Sequence, residues 1–185
     1  MVEPRFRHRT PSRPEILVLA DVSGSVAAFA RFTLEFVHAV SGQFSAVRSF
    51  VFLDGVDEVT SIFATSRSLA EALRRVDAEA DVVWADGHSD YGHAFEQFWS
   101  TWGEEVTGRT SVVILGDARN NYHQSGEWVL GELQRRARRV WWLNPEPRSY
   151  WDTGDSLASV YRPHCHSMVE CRTLRQLEQF VAQVV

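Results

Sequence analysis

In Asp21-Val22-Ser23-Gly24-Ser25, three oxygen-bearing side chains follow one another at alternate positions, one carboxylate and two hydroxyls. Such a set suits a hard cation such as Mg²⁺, which takes oxygen ligands and keeps some of its waters. Two later stretches offer matching groups. Ser89-Asp90-Tyr91-Gly92 adds a hydroxyl, and Gly116-Asp117-Ala118-Arg119-Asn120-Asn121 adds a carboxylate. Asp21, Ser23, Ser25, Ser89 and Asp117 would together bring only two carboxylates to a divalent ion. A cage so poor in charge leaves positions open for water or for a carboxylate from another molecule.

The surrounding elements decide whether these groups can meet. Ile16 to Ala20 is a continuous apolar run, as expected of a strand buried on both faces of a parallel sheet. Asp21 follows it directly. Residues 26–40 carry Phe29, Phe32, Phe36, Val37 and Val40 at helical spacing and end at Ser41-Gly42. Val47 to Leu53 reads as a second strand. Asp54-Gly55 is a hairpin signal, with Val56 to Ile62 returning as an antiparallel edge strand. Ser68 to Val76 predicts a helix, Asp81 to His88 a loop, and Asp90 to Trp102 a helix with Ala94, Phe95, Phe98 and Trp102 inward. Thr110 to Leu115 is another apolar strand, and Asp117 stands just past its end. A helix over Gly126 to Arg138, a strand over Val140 to Leu143, a loop opened by Asn144-Pro145-Glu146-Pro147, a strand over Ser167 to Cys171 and a helix over Leu174 to Val184 complete the chain.

Strands alternating with helices argue for an α/β, doubly wound, Rossmann-like sheet. It is mostly parallel, has one antiparallel edge strand and is covered by helices on both faces. In such sheets ligands sit at the carboxyl ends of strands, where the strand order reverses. Asp21 and Asp117 both occupy such ends.

A chain of 185 residues, 44% hydrophobic and 23% charged, suits one domain with a real core. The net charge of -5 speaks against nonspecific nucleic-acid binding, which needs basic groups to neutralise phosphate. All 19 basic residues are Arg, which reads as coding bias. Cys165 and Cys171 make no disulfide framework, so a reduced, cytoplasmic setting is the simpler reading. His164-Cys165-His166 with Cys171 lacks the spacing of a common zinc module and reads as ordinary loop and strand. No apolar run approaches the roughly 20 residues of a membrane span. Residues 1–14 are basic and Pro-containing with no apolar core to follow. They read as a linker and not a signal peptide, with the domain running from 15 to 185.

Asp21, Ser23 and Ser25 form a DxSxS motif that resembles that of von Willebrand factor A (VWA) domains. The family's second motif, Thr-Asp-any-Gly, is matched by Ser89-Asp90-Tyr91-Gly92, with Ser for Thr. Its third, an Asp after the fourth strand usually followed by Gly, is matched by Asp117 followed by Ala118. Gly116-Asp117-Ala118-Arg119-Asn120-Asn121-Tyr122 and Val140-Trp141-Trp142-Leu143-Asn144-Pro145 resemble more narrowly the bacterial CoxE-like branch. The resemblance implies a metal-ion-dependent adhesion site (MIDAS) holding Mg²⁺, Mn²⁺ or another divalent cation. Ser23, Ser25 and Ser89 would bind it directly, and Asp21 and Asp117 largely through water. A partner's Asp or Glu would take the sixth position. It further implies work with a MoxR-type AAA ATPase in metalloenzyme maturation or complex remodelling.

Several of these residues carry plainer readings. Ser25, Ser89 and Asp90 suit helix N-caps. Asp90, Tyr91, Arg119 and Asn120 are expected on the partner-binding rim, where Arg119 would pair with a partner's acid. Asn121 and Trp84 are further rim candidates, and for Arg119, Asn120 and Asn121 a polar turn is the other reading. Arg135-Arg136-Ala137-Arg138-Arg139 complements a helix C-terminus. Trp141 and Trp142 should point to opposite faces of one strand. A hydrolase using Asp21 in the manner of the haloacid dehalogenase phosphatases is the alternative class. It needs a second Asp where Ser23 stands, and a Lys, which the chain lacks. There is no GxSxG elbow and no Walker A loop, so no complete catalytic motif is present.

Overall fold

A computed structural model gives the structure, which describes residues 15–24, 34, 44–83 and 88–184. Six strands form one sheet in the order β3-β2-β1-β4-β5-β6. They are β1 (Glu15–Asp21), β2 (Ala46–Phe52), β3 (Val56–Glu58), β4 (Thr110–Leu115), β5 (Arg139–Asn144) and β6 (Ser167–Glu170). All pairings are parallel except β2 with β3, which is the expected antiparallel edge. Among the described residues the helices are α1 (Thr60–Thr65), α2 (Leu69–Glu79), α3 (Tyr91–Trp102), α4 (Glu127–Arg136), α5 (Ala158–Tyr161) and α6 (Leu174–Val184).

Strand alternation divides the core into two layers. Leu17 and Leu19 of β1 join Phe50, Phe52, Val112, Ile114 and Trp142 under α3, α4 and α5. Ile16, Val18 and Ala20 point the other way and join Val113, Leu115 and Leu143 under α1, α2 and α6. Trp142 packs in the first layer and Trp141 against the second, as a strand requires of neighbours. Of the helix expected over residues 26–40 only Leu34 lies among the described residues, and it is buried in the second layer. The linker expected at 1–14 and Trp84 lie outside them.

The antiparallel strand is shorter than its sequence predicts. β3 ends at Glu58, and Thr60 opens a helix instead of continuing to Ile62. The Thr60 hydroxyl accepts the Ser49 N–H at 3.0 Å, taking the place of a backbone carbonyl and stopping the ladder. Val59, Ile62 and Phe63, spaced as one helical face, then turn into the second layer. The long connection after β5 holds α5, which no sequence period announced.

Cys165 and Cys171 fall in opposite layers, so the His164-Cys165-His166 segment and Cys171 do not share a site. Among the described residues no group of three or more His, Cys, Asp or Glu converges to hold a metal ion. No described helix is long and apolar enough to cross a membrane.

Candidate metal site at the carboxyl edge of the sheet

β1 lies between β2 and β4, so the chain order reverses at β1 and opens a crevice beyond the ends of β1 and β4. Asp21 is the last residue of β1, and Asp117 follows β4 by one residue after Gly116. The register pairs Ala20 with Leu115, which sets Gly116 beside Asp21. A Cβ on Gly116 would fall 3.2 Å from the Asp21 Cβ and 2.1 Å from the Tyr91 hydroxyl oxygen. Only glycine fits there.

The second segment arrives on α3. Asp90 caps this helix by accepting the His93 N–H at 2.9 Å, and Asp90 N donates to Leu53 O. Ser89, just before the cap, is buried and reaches both Asp21 oxygens, at 3.3 and 3.4 Å. Ser23, Gly24, His88, Ser89, Asp117, Arg119, Asn121 and Asp155 line one open cleft of about 290 Å³. Ser23, Ser89, Asp21 and Asp117 are thus brought together. Ser25 lies outside the described residues.

Asp21 is fully buried, and the donors that reach it are neutral: Ser23 N–H at 2.8 Å, the Tyr91 hydroxyl at 2.7 Å, and the hydroxyls of Ser89 and Ser23. Burial lifts its carboxyl to about 6, and the charge of Asp117 pushes the same way, against the bonds from Tyr91 and Ser23. A buried carboxylate beside a second one, with hydroxyls next to them and all donors oxygen, fits a hard cation.

The rim differs from its sequence reading in three places. Tyr91 is buried, not exposed, and lies beneath the cleft with its ring in the first layer. It faces inward because Gly92 lets α3 press on the next loop: a Cβ there would fall 2.1 Å from Gln124 O. Asn120 is buried too. Its side chain accepts Tyr91 N–H at 2.7 Å and donates to His123 O and Gln124 O at 2.8 and 2.9 Å, so it builds the loop from inside. Arg119 is already engaged within the chain. Glu146 holds it through both oxygens at 2.9 and 3.0 Å, and Asp155 at 3.0 Å. Asp155 also accepts Asn121 N–H at 3.0 Å. Burial works upward on Asp155, but these bonds outweigh it and hold its carboxyl below the usual range. Asp90 is half-buried as the cap of α3 and lines a neighbouring pocket with His93, Glu96 and His123.

Asp155 and Glu146 are the groups that sequence spacing missed. Pro145 and Pro147 around Glu146, and Gly154 before Asp155, were the available signals of an ordered loop. The loop after β4 is unusually bent. Ala118, Asn121 and Tyr122 have φ of 64°, 48° and 63°, values that glycine adopts freely and other residues seldom. Ala118 stands where the resembled motif usually has Gly, and it keeps the glycine-like conformation.

The strand order and this crevice are those of a doubly wound α/β domain. The family model for "VWA domain containing CoxE-like protein" matches residues 1–180, and the chain belongs to that family. No curated protein sequence matches it. Three solved structures are similar in fold. A von Willebrand factor type A protein from Catenulispora acidiphila superposes with a TM-score of 0.59 at 13% identity, covering 94% of this chain and 42% of that one. Proximal thread matrix protein 1 from the mussel byssus, in a structure with a zinc-occupied MIDAS motif, gives 0.61 at 12%, covering 94% and 47%. The conserved hypothetical protein BatB from Bacteroides thetaiotaomicron gives 0.60 at 14%, covering 92% and 96%. The chain thus spans less than half of the first two. At such identities the likeness establishes the fold.

Proposed function

We propose that the chain is a protein-interaction module that docks a partner's Asp or Glu through a divalent cation, Mg²⁺ or Mn²⁺. The observation that carries this is the meeting of Ser23, Ser89 and Asp117, from three separate segments, at one open cleft over the strand-order reversal, with the buried Asp21 bonded by Ser89 beneath it. Ser23, Ser25 and Ser89 would hold the ion by their hydroxyls, with Asp21 and Asp117 acting through water. The cation supplies positive charge and an open position for a carboxylate ligand. The mussel protein's occupied MIDAS motif on the same fold supports the reading. With Asp21 and Asp117 acting through water, the ion keeps a coordination position for a further acid, so ion and partner should bind cooperatively.

The partner we favour is a MoxR-type AAA ATPase, in metalloenzyme maturation or complex remodelling in the cytoplasm. Family resemblance supports this. The domain itself performs no catalytic step in this proposal, and ATP turnover belongs to the partner, since the chain has no Walker A loop.

Titration with Mg²⁺ or Mn²⁺ should raise the melting temperature, because a ligand of the folded state stabilises it by about 2.7 kcal/mol at a hundredfold excess over Kd. Asp21→Ala with Ser23→Ala should abolish that rise. An unchanged rise in the double variant would refute the site. Equal recovery of a purified MoxR-type ATPase with and without EDTA would refute metal-dependent docking.

A further inference from the structure

Tyr91 has no evident packing reason to be a tyrosine. Its ring lies 5.7 Å from Trp142 at 17° and meets Phe52 and Phe95 edge-on, contacts that phenylalanine would make equally well. A buried hydroxyl costs desolvation unless it is bonded. This one is bonded twice, at the site. It donates to Asp21 Oδ2 at 2.7 Å and accepts the N–H of Ala118 at 3.2 Å. One oxygen therefore links the residue that ends β1 to the left-handed turn after Asp117. Gly116 leaves the space in which that oxygen sits.

The neighbouring rings follow the same plan. Trp142 stacks on Tyr161 at 15°, Trp142 Nε1 donates to Gly116 O at 2.8 Å, and the Tyr161 hydroxyl donates to Ser125 O at 3.0 Å. Three stacked rings thus each tie down a different point of the loop system, and only Tyr91 touches a carboxylate of the site.

We propose that Tyr91 is a positioning residue of the cation site. Its hydroxyl fixes the Asp21 carboxylate and locks the first and third site segments into one arrangement toward a divalent cation. The proposal rests on the cation-docking reading above. Without the hydroxyl, Asp21 Oδ2 loses its 2.7 Å bond, beside which the Ser89 contact at 3.4 Å is long, and Ala118 N–H loses its acceptor. Loss of an outer partner of this kind typically lowers metal affinity about 10–100-fold.

The test is calorimetric titration with Mn²⁺ alone, paired with melting curves in EDTA and in saturating Mn²⁺. Tyr91→Phe should raise the Mn²⁺ Kd about tenfold or more and shrink the metal-induced rise in melting temperature. Tyr161→Phe, which removes a hydroxyl from the same stack, should keep the wild-type Kd. If Tyr91→Phe lowers both melting temperatures equally and leaves Kd unchanged, the hydroxyl is structural only and the proposal falls. Should that variant fold poorly, p-aminophenylalanine at 91 restores a donor and an acceptor, and failure to restore binding in a folded protein overturns the proposal. Absence of Mn²⁺ binding by the wild type would instead overturn the cation reading, and this inference with it.

Discussion

At the amino end of the sheet, where β1 and β4 begin, charge is paired on the surface. Arg48 reaches Glu58 at 2.6 Å and Glu105 at 2.5 Å, and Arg109 reaches Glu15 at 3.2 Å. At the carboxyl end the pattern is inverted. Arg119 is spent on Glu146 and Asp155 at the rim, while the buried Asp21 is met by neutral donors beside a second carboxylate. Exposed ion pairs are worth under about 1 kcal/mol each. A desolvated carboxylate next to another costs more than that, and a fold retains such a cost where a ligand can offset it. The amino end is therefore a surface of paired charge, and the carboxyl end carries a cost that the proposed cation would offset.

The largest effect should come from filling a gap at the carboxyl end. Gly116→Ala brings a methyl 2.1 Å from the Tyr91 hydroxyl and should cost about 3 kcal/mol or more in urea unfolding. Gly108→Ala, at the amino end with nothing within 4 Å of its Cβ, should change stability by less than about 1 kcal/mol. Equal costs would erase the contrast.

The next effect is electrostatic. Asp21 rises in the fold from 3.8 to about 6, so its contribution is fully present below pH 4 and lost as pH rises through 6. In EDTA, the stability of the wild type relative to Asp21→Asn should therefore fall by about 3 kcal/mol between pH 4 and pH 8, at 1.36 kcal/mol per unit. A flat difference would mean that Asp21 is not strained by burial. Titrating groups remote from Asp21 cancel in this comparison because both proteins carry them, and Asp117 titrates together with Asp21 as a pair.

Smaller still is the relief of one bent residue. Tyr122 is 86% exposed and left-handed, so Tyr122→Gly should stabilise the chain by about 1 kcal/mol and raise its melting temperature. Last, Arg48→Met at the amino end should cost under about 1 kcal/mol, and 0.5 M NaCl should remove most of the difference.

Much of this was legible in the sequence. The five apolar residues before Asp21 reported burial on both faces, and the alternation of strands with helices gave the sheet. Asp21 and Asp117 at strand ends pointed to the crevice without any long-range information. What escaped depended on contacts distant in the chain. β3 stops because Thr60 meets Ser49. Tyr91 turns inward because Gly92 lies against the 124–126 backbone, which fixes the rotation of α3. Local spacing put Tyr91 on the rim, since a first-turn residue can face either way until that rotation is known. Arg119 finds its acids 27 and 36 residues on, beyond any periodic pattern. The four residues of α5 are too few to show a period.

The two cysteines offer a use of a different kind. Burial pushes the Cys165 thiol up to about 12 and the Cys171 thiol up to about 11, so in the closed protein neither is an effective nucleophile. They lie on opposite sides of the sheet, and the chain has no lysine amine to compete for a reagent. Each thiol is thus a clock for its own layer. Alkylation of Cys165 times the lifting of the α4 and α5 side, and alkylation of Cys171 times that of the α6 side. Their two rates, followed in one tube by mass spectrometry, report whether the layers open together or one at a time.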